Sequence, residues 1–581
     1  VYPALILVVI VFITVRPISD PDCWFHMAHG RHFLEHGEVL KRDIFSHTAA
    51  GREWISSGWL ASVIMQTVFA RWGPNGLILL VTALVAAVYG TFYVAALRRK
   101  APAELAALIA LVSLLAAYMR FNPRPDIFSL VVLPVFVLLL LRLHAVGQNH
   151  WRRWATLALI PAAMMLWANL HAGFLAGLLV LWIALSSAWL AGRKTLPRQR
   201  LAELALSGAA ASVAWLLNPY GWQIVELAAK IRAIPGVGML IFEWMPLVYL
   251  PGFNLPWPTY AGLAGLAALG VWLWRRAPGG RAAWPWIASA VLALFALAQR
   301  RQAGLFAVGL PFLMLPALPS LARLAARSRL MLSAAVVALG VAICGLQYKG
   351  TLEMGEGWPE MGVNARMLPC FPTEFLDRTA VPQKLFNSYG MGGYLLYHLG
   401  TRLPVFIDGR LDVYDPKVWA DYLAADENRM PLAALRAAYG VNTCAIETRD
   451  AFGDPVHLAN RLTQDPEWAL VFFDDDYAIF CHRAETPPET LAHELRYANP
   501  FAPERFVAAL RSGEAQRRAL EELQYAIATS QGCANAYALA ALAAQMNGET
   551  DAAARYRATA AARNPGCPLL RWAPPAAGTA N

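Results

Sequence analysis

Residues 18–39, ISDPDCWFHMAHGRHFLEHGEV, place two aspartates and four histidines directly after the apolar run ALILVVIVFITV. Asp22, His26 and His29 stand at i, i+4 and i+7, so a helix through them presents a carboxylate and two imidazoles on one stripe. Such a stripe suits a divalent metal ion, Mg or Mn, or a proton-transfer site. Asp20 and Asp22 are the candidate general bases. Helix capping explains part of the same pattern, with Asp20 as N-cap, Pro21 at the first helical position and Asp22 in the first turn.

A second set of polar groups falls at the ends of apolar segments. Arg300 and Arg301 in QRRQ, and Arg120 and Arg124 in RFNPRPD, run against the bias that keeps cations in cytoplasmic loops. A guanidinium is a bidentate partner for phosphate, so Arg300, Arg301 and Arg124 are the candidate phosphate ligands, against the alternative of arginines that only anchor helix ends. His26, His171, Asn218 and Glu243 are the candidate pocket residues; each also fits a cap or an interfacial anchor. FNSYGMGGYLLYHLG lacks the GxGxxG order of a nucleotide loop and reads as tight packing. FIDGRLDVY brings Asp408, Arg410 and Asp412 to a strand end as an internal ion-pair network. Asp474, Asp475 and Asp476 read as a solvated turn.

The elements that hold these residues follow from composition. The chain has 581 residues, 57% of them hydrophobic and only 15% charged, which describes an integral membrane protein. Apolar stretches near residues 1–15, 76–97, 103–119, 127–141, 155–170, 173–192, 201–217, 258–274, 283–299, 303–319 and 330–346 give about 11 spans of the roughly 20 residues a bilayer needs. Alternate connections carry the arginine clusters, among them Arg98, Arg152, Arg193, Lys194, Arg281, Arg323 and Arg329, and are cytoplasmic. The opening loop 16–75, RFNPRPD, NLHAG, NPYGWQ and QRRQ therefore share the outer side, as does everything after residue 347. The chain opens on Val rather than Met and its first apolar run is short, so the natural start is expected upstream; no cleavage site follows that run.

Charge reverses along the chain. Residues 1–346 hold 28 Lys and Arg against 11 Asp and Glu, and the remainder 21 against 28. Residues 347–495 read as a soluble periplasmic α/β domain with strands at RLPVFID, NTCAIE, ALVFF and YAIFCHR. Residues 496–581 read as a tetratricopeptide-like helical tail, carried by ANAYALAALAAQMNGETDAAARYRATAAARNP. Cys444 with Cys481, and Cys533 with Cys567, are the candidate disulfides in an oxidising compartment, with buried free thiols as the alternative. The fold class is mainly α: residues 1–346 as a polytopic transmembrane bundle, followed by these two soluble parts. Nucleic acid is excluded as a partner, because the basic residues serve orientation in the bilayer.

The order of parts, with a first span, an acidic outer loop, many spans and a C-terminal outer domain, resembles the polytopic glycosyltransferases of the GT-C superfamily. DPDCWFHMAHGR, RDIFSHTAAGREW, WANLHAGF, LNPYG and GMGGYLLYHL with PVFIDGRLDVY are similar to a bacterial membrane family allied to it, over residues 1 to about 480. The resemblance implies a multi-pass enzyme of the bacterial inner membrane that takes a sugar from a polyprenyl-phosphate donor and passes it to a glycan or protein acceptor outside the cytoplasm. It also implies a first-loop aspartate, here Asp20 or Asp22, as base or metal ligand. The family's paired Asp-Glu is Asp-Pro-Asp here, which leaves open which carboxylate is the base. The alternative is a non-catalytic membrane scaffold that recruits envelope proteins through its periplasmic and helical-repeat domains. A transporter fits less well, because the spans lack interior acids and broken-helix pairs.

Overall fold

The structure is a computed structural model that describes residues 1–143, 150–192, 197–232, 234, 241–248, 256–276, 283–321, 326–353, 358–449 and 456–572. Arg193, Lys194, Arg281 and Arg323 lie outside the described residues. The chain divides into two compact units: residues 1–20, 29–40 and 55–363 form the first, and residues 21–28, 41–54 and 364–581 the second.

The first unit is a helical bundle. Its helices are α1 (Tyr2–Thr14), the later part of α2 (Asp22–His36), α3 (Trp59–Arg98), α4 (Ala103–Ala117), α5 (Asp126–Leu143), α6 (His150–Leu170), α7 (Phe174–Gly192), α8 (Arg198–Ala214), α9 (Gln223–Arg232), α10 (Trp257–Arg276), α11 (Trp284–Ala298), α12 (Ala303–Met314) and α13 (Ala326–Glu353). Each expected apolar segment contains one of them. Five helical stretches are long and apolar enough to cross a bilayer alone: Trp59–Arg98, Ala103–Arg120, Asp126–Leu143, Phe174–Ala191 and Arg327–Gly350. Tyr2–Thr14 and Trp284–Ala298 are apolar but shorter. The first of the five is broken at Gly73, whose φ of 63° is followed by Pro74, so two helices meet there and the apolar one begins after the break.

Helices α4 and α12 form the middle of this unit. Every residue of α12 is buried, as are twelve of the fifteen in α4, which is the signature of a helix surrounded by others. Small residues allow the close approach: a Cβ on Gly262 of α10 would lie 2.6 Å from the Ala116 backbone nitrogen. Ser113 satisfies its buried hydroxyl by donating to the Ala307 carbonyl at 2.8 Å and pairing with Tyr89 at 2.8 Å. Outward, α13 exposes Leu330, Met331, Val337 and Val341. An apolar face of this kind belongs against lipid, and the protein is membrane-embedded.

The second unit carries a four-stranded sheet in the order β1-β2-β4-β3, from β1 (Leu385–Asn387), β2 (Thr443–Glu447), β3 (Trp468–Phe473) and β4 (Tyr477–His482). β1 and β2 run parallel, and the other pairs are antiparallel. The expected strand at RLPVFID is absent from this sheet. Its backbone is taken up elsewhere: the Val405 N–H donates to the Phe45 carbonyl at 2.9 Å and the Phe406 N–H to Asn387 Oδ1 at 2.8 Å. LFN, which runs into the start of the glycine-rich stretch, supplies the strand instead.

Helices cover the sheet: α14 (Cys370–Arg378), α15 (Tyr389–Leu399), α16 (Pro416–Asp426), α17 (Leu432–Tyr439) and α18 (His457–Gln464). Tight packing at FNSYGMGGYLLYHLG has a concrete form, since a Cβ on Gly392 would sit 2.1 Å from the Ile407 carbonyl oxygen. After the short α19 (Pro488–Leu491), helices α20 (Pro503–Leu510), α21 (Gly513–Thr529), α22 (Ala534–Met546) and α23 (Thr550–Arg563) make up the tail.

Two expectations are corrected in this unit. All seven cysteines are free. Cys444 stands opposite Phe480, and Cys481 opposite Thr443; directly paired residues share a face and successive residues alternate, so the two thiols point to opposite sides of the sheet. Cys533 instead accepts from the Ala536 N–H as an N-cap, and Cys567 donates to Asn535 Oδ1 at 3.3 Å. The acidic run is no solvated turn. Asp474 is buried and accepts from the Asp476 and Tyr477 N–H groups, and burial pushes its carboxyl up to about 8. Asp475 accepts from the Ala534 and Asn535 N–H groups at 2.9 Å each, capping α22 from 59 residues away in sequence.

Candidate active site

The connections assigned to the outer side from charge alone meet one another in the first unit. Asn169 accepts from Trp59 Nε1 at 2.8 Å and donates to the Leu217 carbonyl at 2.9 Å. Tyr220 donates its hydroxyl to the Leu40 carbonyl at 3.0 Å, and Ile55, Tyr220 and Leu227 share a small apolar core. The helix ends that charge assigns to the other side carry different pairs, Arg329 with Glu104 and Arg153 with Glu203.

Asp20 lies at the centre of what the outer loops assemble. Helix α2 starts at Asp22, so Asp20 sits two residues ahead of it, outside the N-cap position expected from sequence. The loop is held by the Ile18 N–H donating to the Gly362 carbonyl and by Arg16 donating to Asn122 Oδ1 at 2.8 Å. Arg124 donates from Nε to Asp20 at 2.8 Å and from a terminal nitrogen to Glu243 at 2.7 Å. Arg120 reaches the same Glu243 oxygen at 2.7 Å and also pairs with Asp126. RFNPRPD explains this geometry: Arg120 ends the 3-10 turn Tyr118–Arg120, the segment with its two prolines bends tightly, the Arg124 N–H donating to the Asn122 carbonyl, and Asp126 opens α5, where a helix N-terminus favours an acid.

Arg301 completes the group, within charge range of Glu243, Arg120, Asp126 and Arg124. Its guanidinium lies over the Trp244 indole, 4.8 Å from the ring centroid, beside Glu243 in the turn Phe242–Trp244. It makes no hydrogen bond to an acid among the described residues. Two further atoms in the cluster, Arg120 Nε and Asp126 Oδ1, are buried without a hydrogen-bond partner among the described residues. Next to them, His171 Nδ1 pairs with the Ser129 hydroxyl at 2.8 Å, and Ser129 accepts from Trp167 Nε1 at 2.7 Å.

The charges set one another's protonation. Burial raises the Asp20 carboxyl to about 6; Arg124 opposes this, while Glu243 and Asp126 reinforce it. Burial also pushes Glu243 up, but Arg124, Arg120 and Arg301 together outweigh it and hold that carboxyl well below the ordinary range. Burial lowers His171 to about 4, so its imidazole is neutral at pH 7. The cluster thus contains two carboxylates held as anions, Glu243 and Asp126, and one poised to exchange a proton.

The remaining sequence candidates are placed elsewhere. Arg300 is buried and donates from Nε to the Pro246 carbonyl at 2.9 Å, a structural tie beside Arg301. Asn218 is a turn residue, accepting from the Tyr220 N–H at 2.8 Å and donating to the Trp215 carbonyl. Asp22 and His26 belong to the second unit, where an Asp22 oxygen lies 2.3 Å from the position a Cβ would take on Gly409. His29 is fully buried in the first unit. Among the described residues no three His, Cys, Asp or Glu side chains are placed to hold a metal ion. Asp22, His26 and His29 therefore do not form the ligand set that their spacing suggested. Asp126 was missed in sequence, although it shares a heptapeptide with both arginines.

The chain shares its fold with solved structures of ArnT and of an archaeal oligosaccharyltransferase. Solved structures with the same architecture include apo ArnT from Cupriavidus metallidurans, at TM-score 0.53 and 15% identity over 84% of this chain and 98% of that one. ArnT from the same organism bound to undecaprenyl phosphate gives a TM-score of 0.50 and 14% identity over 82% and 97%. Archaeal oligosaccharyltransferase AglB from Archaeoglobus fulgidus, in complex with an inhibitory peptide and a dolichol-phosphate, gives 0.54 and 10% identity over 86% and 76%. No protein-family model matches the chain, and no curated protein sequence does.

Proposed function

We propose that the chain is a glycosyltransferase of the bacterial inner membrane that moves a sugar from a polyprenyl-phosphate donor to an acceptor on the outer side, where residues 364–581 also stand. The observation that carries this reading is the buried cluster in which Asp20 pairs with Arg124 while Arg301, which acts on Glu243 only through its charge, makes no hydrogen bond to an acid among the described residues. Its support from comparison is the fold it shares with ArnT bound to undecaprenyl phosphate and AglB bound to dolichol-phosphate.

In this mechanism Asp20 accepts the proton of the acceptor hydroxyl. The freed oxygen attacks the anomeric carbon, and the bond from that carbon to the carrier phosphate breaks. The phosphate leaves with the bonding pair, and the Arg301 guanidinium offsets its growing charge. Arg124 orients Asp20 and keeps part of its charge compensated in a low-dielectric setting. A base titrating at about 6 combines a sizeable ionised fraction at neutral pH with proton affinity, which is the balance general-base catalysis needs. No step is routed through a metal ion, since the residues present do not gather a ligand set.

The test is transfer from a polyprenyl-phosphate-linked sugar in membranes, with Asp20→Asn and Asp22→Asn compared. Asp20→Asn is expected to lose about 10²- to 10⁴-fold in rate, and Asp22→Asn far less. Unchanged transfer in Asp20→Asn removes the proposed base.

A further inference from the structure

Three elements of the first unit converge on one imidazole. A backbone N–H can only donate, and that of Gly173 points at His171 Nδ1 from 3.1 Å, so this nitrogen carries a lone pair. The Trp167 indole also only donates, and it gives its hydrogen to the Ser129 oxygen at 2.7 Å. The hydrogen in the 2.8 Å pair between Ser129 and Nδ1 is therefore the serine's own. Glycine at 173 is part of the arrangement: a Cβ there would lie 2.3 Å from Ser129 Oγ and 3.0 Å from Nδ1. Burial keeps the ring neutral, with Arg301, Arg120 and Arg124 acting in the same sense and Asp126 against them. Since Nδ1 accepts, the one ring proton resides on Nε2.

Nε2 lies across the ring from this anchor. It has no hydrogen-bond partner among the described residues, and the half-buried ring leaves it open to solvent rather than sealed. Arg301, Arg120 and Arg124 stand within charge range of the ring. Arg120 and Arg124 are tied to carboxylates, whereas Arg301 makes no hydrogen bond to an acid among the described residues. An imidazolium here would set a fourth positive charge beside three guanidinium groups. A neutral N–H avoids that repulsion and still offers a hydrogen bond that strengthens as negative charge grows on the accepting oxygen.

We propose that His171, fixed as the Nε2–H tautomer, is a further substrate-binding residue that donates to a non-bridging oxygen of the carrier phosphate whose charge Arg301 offsets. The inference rests on the transfer reading for the identity of that phosphate. His171 keeps its proton throughout, and no bond to it forms or breaks.

The experiment is equilibrium binding of a radiolabelled polyprenyl phosphate to the full chain in phosphatidylcholine nanodiscs, with the matching polyprenol as the comparator that lacks phosphate. Two variants separate the anchor from the donor. His171→Asn puts an amide where Nδ1 stands and leaves nothing at Nε2, whereas His171→Gln carries an N–H out to the Nε2 position. His171→Asn is expected to weaken binding about 10- to 100-fold, as for loss of a hydrogen bond to a charged group, and His171→Gln to stay within about 3-fold of wild type. An imidazole that only ties the turn to Ser129 gives the reverse order. His171→Phe keeps a ring without a donor, repeats the loss, and stands in if His171→Asn does not fold. Polyprenol is expected to bind all of these chains alike.

Phosphatidylglycerol in the disc and inorganic phosphate in the buffer are rival sources of the same oxygen. Each is expected to displace the label at least about 10-fold more weakly than unlabelled polyprenyl phosphate does. Transfer unchanged in Asp20→Asn removes the base and leaves the contrast between the His171 variants standing; absence of that contrast removes His171 and leaves the base standing. The proposal is overturned if His171→Asn or its stand-in binds as wild type does, or if His171→Gln falls as far as His171→Asn. It is overturned equally by polyprenol binding as tightly as its phosphate, or by either rival displacing the label as well as the carrier.

Discussion

Two buried ionic clusters, one in each unit, use the same side chains to opposite ends. In the second unit Arg410 bonds Asp408 through its backbone N–H, Nε and one terminal nitrogen, and Asp43 through the other; Tyr414 donates to Asp408 as well. The Arg410, Asp43 and Asp408 side chains are 0% exposed, and the guanidinium also stacks on Trp54 at 4.6 Å. Every charged nitrogen is spent. In the first unit the side chains of Arg120, Arg124, Asp20 and Glu243 keep 10–30% exposure, and Arg120 Nε and Asp126 Oδ1 stay unused. A saturated cluster specifies a fold; a cluster with spare donors and a proton-exchanging acid is equipped to receive a ligand.

The sharpest way to break that contrast is to remove one member from each. Asp20→Asn, expected to cost about 10²- to 10⁴-fold in transfer, is expected to lower the unfolding temperature far less than the second change, because Arg124 keeps Glu243 as its partner and the amide fills the same space. Arg410→Ala is expected to do the reverse. It strands two buried carboxylates and costs about 3–5 kcal/mol of stability, measured by denaturant unfolding in detergent. Equal stability loss in the two variants erases the distinction.

A smaller effect sharpens it through pH. Asp20 titrates at about 6, above its ordinary 3.8, so the folded chain holds this proton more tightly than the unfolded chain does. Its contribution to stability is therefore largest below about pH 4 and declines as pH rises through 6. Transfer rate moves the other way, rising with pH and reaching half its plateau near 6. Arg124→Gln removes the opposing positive charge and is expected to move that midpoint upward, whereas Glu243→Gln moves it downward. A midpoint indifferent to both places the titrating group elsewhere. The smallest expected effect is Asp475→Ala, which removes the remote cap of α22 and costs about 1 kcal/mol, read as a drop of a few degrees in unfolding temperature with no change in the pH profile.

Much of the membrane unit was legible because lipid imposes a simple code. All eleven apolar segments contain helices, and the loops that charge assigned to one side are those whose side chains bond to one another. Asp20, Arg124, Arg301, His171 and Glu243 were each singled out from type and position, and the structure gathers them. Their partnership was not legible, since it depends on a 3-10 turn at Phe242–Trp244 meeting a loop more than a hundred residues earlier. Helical spacing overstated the stripe of Asp22, His26 and His29, because equal spacing along a helix does not bring side chains onto one ion. Arg300 and Arg301 look alike in sequence, yet one hydrogen bond to Pro246 separates their fates. In the second unit, RLPVFID has strand composition but finds its backbone partners outside the sheet. The Asp474–Asp476 run resembles a surface turn until the helix it caps arrives 59 residues later.

The placement of Cys444 and Cys481 on opposite faces of one strand pair has a practical outcome for handling the protein. Burial pushes the Cys481 thiol up to about 12 and raises the Cys444 thiol as well, so little reactive thiolate exists at neutral pH. A reducing buffer therefore has no bond between these two residues to break.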